Sequence, residues 1–180
     1  MPLKLLLGSQ SPRRRELLAG LGVAFSVVRI DADESYPASL QGEDIPIYIS
    51  RAKAAAYADL LQPDELLITA DTIVWLNGQV LGKPHDEADA RRMLRLLSGQ
   101  THQVFTGVTL TQKGAEGAYY YSFAARTDVC FRALTEAEID YYVSHFHPLD
   151  KAGAYGIQEW IGYIACTELR GSYFNVMGLP

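Results

Sequence analysis

The stretch from Leu66 to Leu76 constrains the fold of this chain more than any other part of it. Its residues are apolar and partly β-branched, which predicts a buried strand. The Asn77-Gly78 pair that follows favours a two-residue hairpin turn, with Gln79–Leu81 returning as the second strand. The chain is therefore expected to build its core around a central strand and its hairpin.

Asp71 lies in the middle of this strand. An unpaired buried carboxylate costs several kcal/mol, so Asp71 needs a cation, a metal or a set of donors beside it. A carboxylate embedded in a strand is a common component of metal and general-base sites, and this interpretation is favoured over a helix cap or a side chain turned to water.

Three other charged residues are candidates for the same site. Lys83 follows the hairpin, where its positively charged ammonium group would be held on rigid backbone near Asp71 or would lie in a solvated turn. Lys53 lies at the edge of the apolar stripe of a helix predicted over 45–61, where its amine either reaches an anion or extends to solvent. Glu34 ends an acidic run over 31–34 that either binds a metal or, the more ordinary case, forms a solvated loop.

The N-terminal region predicts a strand over 3–8, a polar turn and then a helix. Ser11 is a good N-cap and Pro12 a good first helical residue, so the helix should run to Ala19 and stop at Gly20 or Gly22.

Three arginines occupy the first turn of this helix, where the macrodipole disfavours cations unless an anion is present. The components of a phosphate site are present here: a strand, a turn with small residues such as Ser9, and a helix that starts with Arg13 and Arg14. The alternative is an exposed basic turn, and one arginine at least is expected to face solvent. Neither the Walker spacing nor the dinucleotide fingerprint is present.

The remaining pattern alternates helices and strands in a chain long enough for one domain or two lobes sharing a core. A helix over 86–97 begins at Asp86, and Thr135 with Glu138 form a capping box for a helix over 135–145. Strands are predicted at 23–30, at 101–111 with an interruption at Thr106-Gly107, at 119–131 pairing with the previous one, and at 162–166.

Composition excludes several classes. The net charge of −5 argues against a general nucleic-acid surface, and no apolar run is long enough for a membrane span or a signal peptide, so a cytoplasmic protein is expected. Cys130 and Cys166 lie in apolar segments without metal spacing, which predicts buried thiols. His145 and His147 are expected to be surface residues at a helix end.

These segments in order resemble the Maf family of nucleoside triphosphate pyrophosphatases over nearly the whole chain. The matching pieces are SQSPRRREL at 9–17, KA at 53–54, ADTIV at 70–74, LGKP at 81–84, LSGQTHQVFTGV at 97–108, DKAGAYGIQ at 150–158 and GSYFNVMGLP at 171–180. Members of the family usually continue past this last piece into a further helix.

The resemblance implies hydrolysis of a nucleoside triphosphate between the α and β phosphates with a divalent cation, Mg²⁺ or Mn²⁺, in an enzyme that forms a homodimer. It implies an α/β fold, shared with the inosine triphosphate pyrophosphatases, in which helices flank a mixed twisted sheet and the nucleotide lies in a cleft between two lobes. The pieces SPRR, DT and YGIQ are similar to the branch that acts on dTTP and UTP, in which Arg13, Thr72 and Gln158 would set substrate preference.

On this basis Asp71 is expected to be the general base or a metal ligand, and Glu34 the second carboxylate for the metal. A cationic clamp on the phosphates would come from Arg13, Lys53 and Lys83, with Arg14 as a weaker member and N–H groups of the Ser11–Arg14 turn assisting. The alternatives are a pyrophosphatase for inosine or xanthosine triphosphate and a non-hydrolytic nucleotide or nucleic-acid binder in cell-division control. No membrane and no stable nucleic-acid partner is expected.

Overall fold

A computed structural model describes residues 3–180. The strands are β1 (Lys4–Leu7), β2 (Phe25–Val27), β3 (Glu65–Leu76), β4 (Gln79–Leu81), β5 (Thr101–Gly114), β6 (Gly117–Phe131) and β7 (Cys166–Arg170). The helices are α1 (Pro12–Ala19), α2 (Asp44–Tyr57), α3 (Glu87–Leu97), α4 (Glu136–Phe146), α5 (Trp160–Ala165) and α6 (Tyr173–Met177), with 3-10 turns at Ala58–Leu60, Pro148–Asp150 and Ala152–Ala154.

The strands form one mixed sheet in the order β2-β1-β3-β5-β6-β7, with β4 also paired to β3. β1 is parallel to both β2 and β3, whereas β4 is antiparallel to β3 and β7 is antiparallel to β6. The expected α/β class with a mixed sheet flanked by helices is confirmed. The residues fall into two compact units, and β3, β5 and β6 each contribute to both.

The first unit contains residues 3–71, 106–125 and 178–180. Alternate residues of β1 and β3 pack on opposite faces of the sheet: Leu7 and Ile68 join a cluster with Leu18 of α1, and Leu6 and Leu67 join another with Leu61. Both faces of these parallel strands are therefore covered, as the continuous apolar sequence of β3 requires.

The second unit contains residues 72–105 and 126–177. Its core is one large cluster in which α3 and α4 supply most of the helical residues, including Leu94, Leu97, Ile139 and Tyr142. α4 begins with the predicted capping box, because Thr135 accepts from the Glu138 N–H and Glu138 accepts from the Thr135 N–H. Arg132 also binds the Glu138 carboxylate, and these contacts lower the pKa of Glu138 to about 2.

Several local predictions are confirmed. α1 begins at Pro12 after the Ser11 cap and ends at Gly20, and α3 begins after the Asp86 cap. Asn77 and Gly78 have φ angles of 50° and 81°, the left-handed values that a type I′ hairpin turn needs. β5 and β6 form the expected hairpin around residues 115–116.

The predicted break in β5 at Thr106-Gly107 is wrong, because β5 is continuous from Thr101 to Gly114. A Cβ on Gly107 would lie 2.3 Å from the carbonyl carbon of Pro46. The glycine therefore serves close approach of α2 to the sheet instead of breaking the strand.

The predicted strand at 162–166 is also wrong, because α5 occupies Trp160–Ala165 and β7 begins only at Cys166. Ile161 and Ala165 are buried one helical turn apart, and a Cβ on Gly162 would lie 1.8 Å from the Ile157 carbonyl oxygen. The apolar run is short enough to fit either the repeat of a strand or the repeat of a helix. The strand predicted at 23–30 is shorter than expected, with only Phe25–Val27 paired.

The remaining sequence predictions concern single residues. Cys130 and Cys166 are free thiols, as expected, but both are partly exposed instead of buried. His145 and His147 are exposed at the end of α4, as expected. No helix within residues 3–180 is long and apolar enough to cross a membrane.

Candidate active site

Asp71 and Lys53 meet because α2 is fixed against β3 and β5 in the first unit. Ser50 of α2 bonds Thr109 of β5 through their hydroxyls at 2.9 Å, and the Thr69 hydroxyl donates to the Ser50 carbonyl at 2.7 Å. Thr69 and Asp71 are two residues apart on β3 and share one face of the strand, while Lys53 lies one helical turn after Ser50.

Lys53 Nζ lies 2.8 Å from Asp71 Oδ1 and 3.0 Å from Glu34 Oε1. The side chains of Lys53 and Asp71 are 13% and 14% exposed, whereas that of Glu34 is 59% exposed. The buried carboxylate predicted in β3 therefore has its cation. The acidic loop is mostly solvated, but one of its residues reaches the same ammonium group.

The predicted phosphate turn is built from Ser9, Ser11 and Arg14. The Ser9 hydroxyl accepts from the Ser11 N–H at 3.2 Å and from Arg14 Nη1 at 3.3 Å, and the Ser11 hydroxyl caps α1 by accepting from the Arg14 N–H. Arg14 Nε donates to the Gly178 carbonyl oxygen at 2.7 Å. Arg14 thus joins the turn to the last residues of the chain.

Arg14 also connects the turn electrostatically to the carboxylates. Burial lowers the pKa of Arg14, and the charge of Arg13 lowers it further, while the carboxylates of Asp71 and Glu34 oppose this. Arg13 is partly buried and Arg15 is exposed, in agreement with the expectation that one arginine faces solvent. The first unit therefore gathers seven predicted residues into one charged region: Ser9, Ser11, Arg13, Arg14, Glu34, Lys53 and Asp71.

The other three predicted residues belong to the second unit. Thr72 is partly buried in β3, and Lys83 is exposed just after β4. Gln158 is partly buried, and its Oε1 atom is shielded from solvent without a hydrogen-bond partner among residues 3–180. The participation of these three residues in the same site as Asp71 stays a prediction.

Asp71 and Glu34 are the candidate metal ligands. Within the described part of the chain no three His, Cys, Asp or Glu side chains converge as a metal site. Two carboxylates around one positive charge nevertheless fit Mg²⁺ or Mn²⁺, because Mg²⁺ in phosphate-processing enzymes is usually held by one or two carboxylates and substrate phosphates.

Comparison with known proteins gives a family model, described as Maf-like protein, that matches residues 4–180. The chain belongs to the Maf family. It is 58% identical over 178 residues to the dTTP/UTP pyrophosphatase of Phocaeicola vulgatus, covering 98% of this chain and 90% of that protein. It is 52% identical over 180 residues to the dTTP/UTP pyrophosphatase of Porphyromonas gingivalis, covering 98% and 88%.

Among solved structures, the Maf chain shares its fold with the Staphylococcus aureus Ham1 protein. The TM-score is 0.51 over 71% of each chain, at 13% sequence identity. At this identity the likeness concerns the fold alone. The predicted Maf resemblance is confirmed.

Sequence reasoning missed two sets of contacts in this Maf chain. The Gly178 carbonyl is the partner of Arg14 across 164 positions of sequence, which no local pattern reveals. Tyr142 of α4 bonds Gly156 and Glu159, and Lys151 pairs with Glu159, in the segment that carries Gln158. The only available signal was that Lys151 lies in the DKAGAYGIQ piece.

Proposed function

We propose that this Maf protein hydrolyses dTTP and UTP between the α and β phosphates, releasing the nucleoside monophosphate and pyrophosphate. The contact of Lys53 with both Asp71 and Glu34, beside the arginines of α1, carries the proposal. The names of the Maf relatives support the substrates. Such an enzyme acts in the cytoplasm, where it removes these nucleotides or modified pyrimidine nucleotides from the pool.

Attack on the α phosphorus needs a water that loses a proton. Asp71 is suited to accept it because Lys53 holds one carboxylate oxygen at a defined position on a rigid strand. Glu34 is more exposed and approaches the same ammonium group from a loop. Asp71 is the general base or a metal ligand, and Glu34 is the second carboxylate.

Asp71 and Glu34 would hold Mg²⁺ or Mn²⁺ together with phosphate oxygens of the substrate. When bound, the cation neutralises phosphate charge and makes a coordinated water more acidic. Lys53 keeps the two carboxylates together, since two adjacent negative charges repel each other without a cation.

Arg13, Lys53 and Lys83 form the proposed clamp on the phosphates and stabilise the charge that develops on the leaving pyrophosphate. The N–H groups at the start of α1 assist. Arg14 contributes less directly, because it donates to Gly178 and Ser9 and holds the turn in place.

Gln158 is the proposed reader of the base, with Arg13 and Thr72 contributing to substrate preference. Thymine and uracil present an N–H donor between two carbonyl oxygens, which matches a glutamine amide whose Oε1 accepts and whose Nε2 donates. The Gln158 Oε1 atom has no donor among residues 3–180, and a pyrimidine N–H that reaches the amide would supply one. Cytosine presents an acceptor at N3 and would leave the oxygen unpaired in the same alignment, so it would have to shift until its exocyclic amine meets Oε1.

Hypoxanthine carries a similar N–H and carbonyl edge, so an inosine or xanthosine triphosphate pyrophosphatase is the second candidate. Gln158 alone does not distinguish a pyrimidine from a purine. The two candidate functions therefore differ in the size of the base that the site accepts. The partner of the protein is the nucleotide, and a homodimer is the proposed assembly.

The test is a release assay over dTTP, UTP, CTP, ATP, GTP and ITP, with and without Mg²⁺ or Mn²⁺, that scores pyrophosphate separately from orthophosphate. Metal-dependent pyrophosphate from dTTP and UTP is the expected result. Preferred turnover of ITP would support the second candidate. Orthophosphate alone would mean that another bond is cut, and no turnover would favour a non-hydrolytic binder.

A further inference from the structure

The segment from Asp150 to Glu159 is held by backbone hydrogen bonds at two points. The Gly153 N–H donates to the Gly82 carbonyl at 3.0 Å, and the Gly156 N–H donates to the Tyr142 hydroxyl at 3.0 Å. The first bond reaches the residue before Lys83, and the second lies two residues before Gln158. One segment therefore connects two residues that the proposed function uses.

Tyr142 lies at the centre of this arrangement. It is fully buried, and its hydroxyl donates to the Glu159 carboxylate while it accepts from the Gly156 N–H. Burial and the hydrogen bond to Glu159 raise the pKa of Tyr142, so the hydroxyl stays protonated and remains a donor.

Lys151 fixes the other side of Glu159. Its side chain is 10% exposed, and its Nζ lies 3.2 Å from Glu159 Oε1 and 2.7 Å from Asp150 Oδ1. A nearly buried lysine with two carboxylates is costly to disturb, because removing one partner leaves uncompensated charge in a poorly solvated place. Glu159 is thus held by both Tyr142 and Lys151.

The Gln158 side chain lies close against this segment. A Cβ on Gly156 would be 3.0 Å from Gln158 Nε2 and 3.1 Å from the Glu159 carboxyl carbon. The Gln158 amide and the Glu159 carboxyl group therefore both lie close to Gly156, whose backbone N–H is bonded to the Tyr142 hydroxyl.

We propose that Tyr142, Lys151 and Glu159 are positioning residues that hold the Gln158 amide in the orientation that reads the base. This inference rests on the proposed function. A group that is held in place before the substrate binds loses less freedom on binding, and a displacement of about 1 Å reduces activity by up to about a hundredfold. The network acts on base preference, while the chemistry at the phosphates belongs to other residues.

Tyr142→Phe tests the proposal because it removes only the hydroxyl. The ratio of kcat/KM for dTTP to that for CTP is expected to fall about tenfold, mainly through a higher KM for dTTP, as for the loss of one aligned hydrogen bond. Tyr141→Phe is the matched control, since Tyr141 is the exposed neighbour on the same helix, and it is expected to leave the ratio unchanged. Glu159→Gln keeps the shape of its side chain, removes the charge opposite Lys151 and is expected to lower the ratio as well.

A double-mutant cycle with Gln158→Ala separates positioning from general stability. If Tyr142 acts through Gln158, Tyr142→Phe has no further effect on the ratio in the Gln158→Ala background. An equal loss in both backgrounds, or an equal loss of kcat for every nucleotide, overturns the inference. If Tyr142→Phe does not fold, Glu159→Gln decides the outcome by the same criteria.

The wild-type protein is measured on the same nucleotides. If it releases no pyrophosphate from dTTP or UTP, the proposed function fails and this inference fails with it. If the wild type is active and both variants keep its dTTP to CTP ratio, only the inference is overturned.

Discussion

Lys53 neutralises two carboxylates that lie far apart in the sequence of the first unit. Its contacts with Asp71 and Glu34 are short, and the first of them is largely shielded from water. Removing one partner of such a pair is more costly than at the surface, because the other charge is left uncompensated in a poorly solvated place. The arrangement keeps a carboxylate charged in the middle of a strand that is otherwise apolar.

Asp71→Asn is expected to lower kcat for dTTP by a factor of about 10²–10⁴, because it removes the proton acceptor or metal ligand while keeping the shape of the side chain. The measurement is steady-state release of pyrophosphate, with circular dichroism to verify the fold.

Lys83→Ala and Arg13→Ala are also expected to reduce catalysis through loss of the phosphate clamp.

Asp64→Asn is the matched control. Asp64 precedes the same strand and forms a lysine pair of the same length, 2.8 Å, with Lys4 at the surface. It is expected to keep wild-type turnover. Near-normal activity of Asp71→Asn would remove Asp71 from the mechanism.

At the level of elements, the approach of α2 to β5 determines where Lys53 lies. Gly107 lets the two backbones come together, and the Ser50, Thr69 and Thr109 side chains bond across the contact. Buried hydroxyls that are all hydrogen-bonded specify one position of the helix on the strands. The position of the ammonium group beside Asp71 follows from that packing.

Gly107→Ala is expected to destabilise the protein by about 1–3 kcal/mol, because the added methyl group meets the backbone of Pro46 and Ile47 and the helix must shift. Urea unfolding measures this change. Gly82→Ala is the control, since nothing lies within 4 Å of the Cβ it would add, and its free energy of unfolding should change by less than about 0.5 kcal/mol. Equal effects of the two substitutions would show that α2 does not pack tightly at Gly107.

For the molecule as a whole, His102 makes stability depend on pH. It is fully buried against Phe131 and Tyr155, and its Nε2 lies 2.7 Å from the Tyr155 hydroxyl. Burial lowers the pKa of His102 from 6.5 to about 4. Between these values the unfolded chain binds a proton that the folded protein does not, so stability falls as the pH falls through this window.

The expected loss through His102 is ~3 kcal/mol between pH 7 and pH 4, from 1.4 kcal/mol for each pH unit. His102→Gln is expected to be less stable than the wild type at pH 7, and the difference should shrink as the pH falls. Urea unfolding at a series of pH values measures it. His145→Gln, at an exposed site, is the control, and its free energy of unfolding should change with pH as that of the wild type does. If the free energy of unfolding of His102→Gln differs from that of the wild type by the same amount at every pH, His102 does not titrate as described.

Much of the local structure was predictable because it depends on residues a few positions apart. The Ser11-Pro12 start of α1, the Asn77-Gly78 turn and the Thr135–Glu138 capping box are local patterns that the structure reproduces. The buried strand with a carboxylate in its middle was equally visible. The same patterns and the ordered motifs were enough to predict the family.

The sequence by itself determined the central strand with its hairpin, the caps of α1, α3 and α4, and the types of residue that a phosphate site needs. Only the tertiary structure decided that Lys53 bridges Asp71 and Glu34, that Arg14 donates to Gly178 and that Tyr142 holds Glu159. It also decided that Gly107 and Gly162 allow close packing, where local rules predicted a break and a strand. The physical reason is that partners distant in sequence are chosen by how elements pack, and local patterns carry no information about that packing.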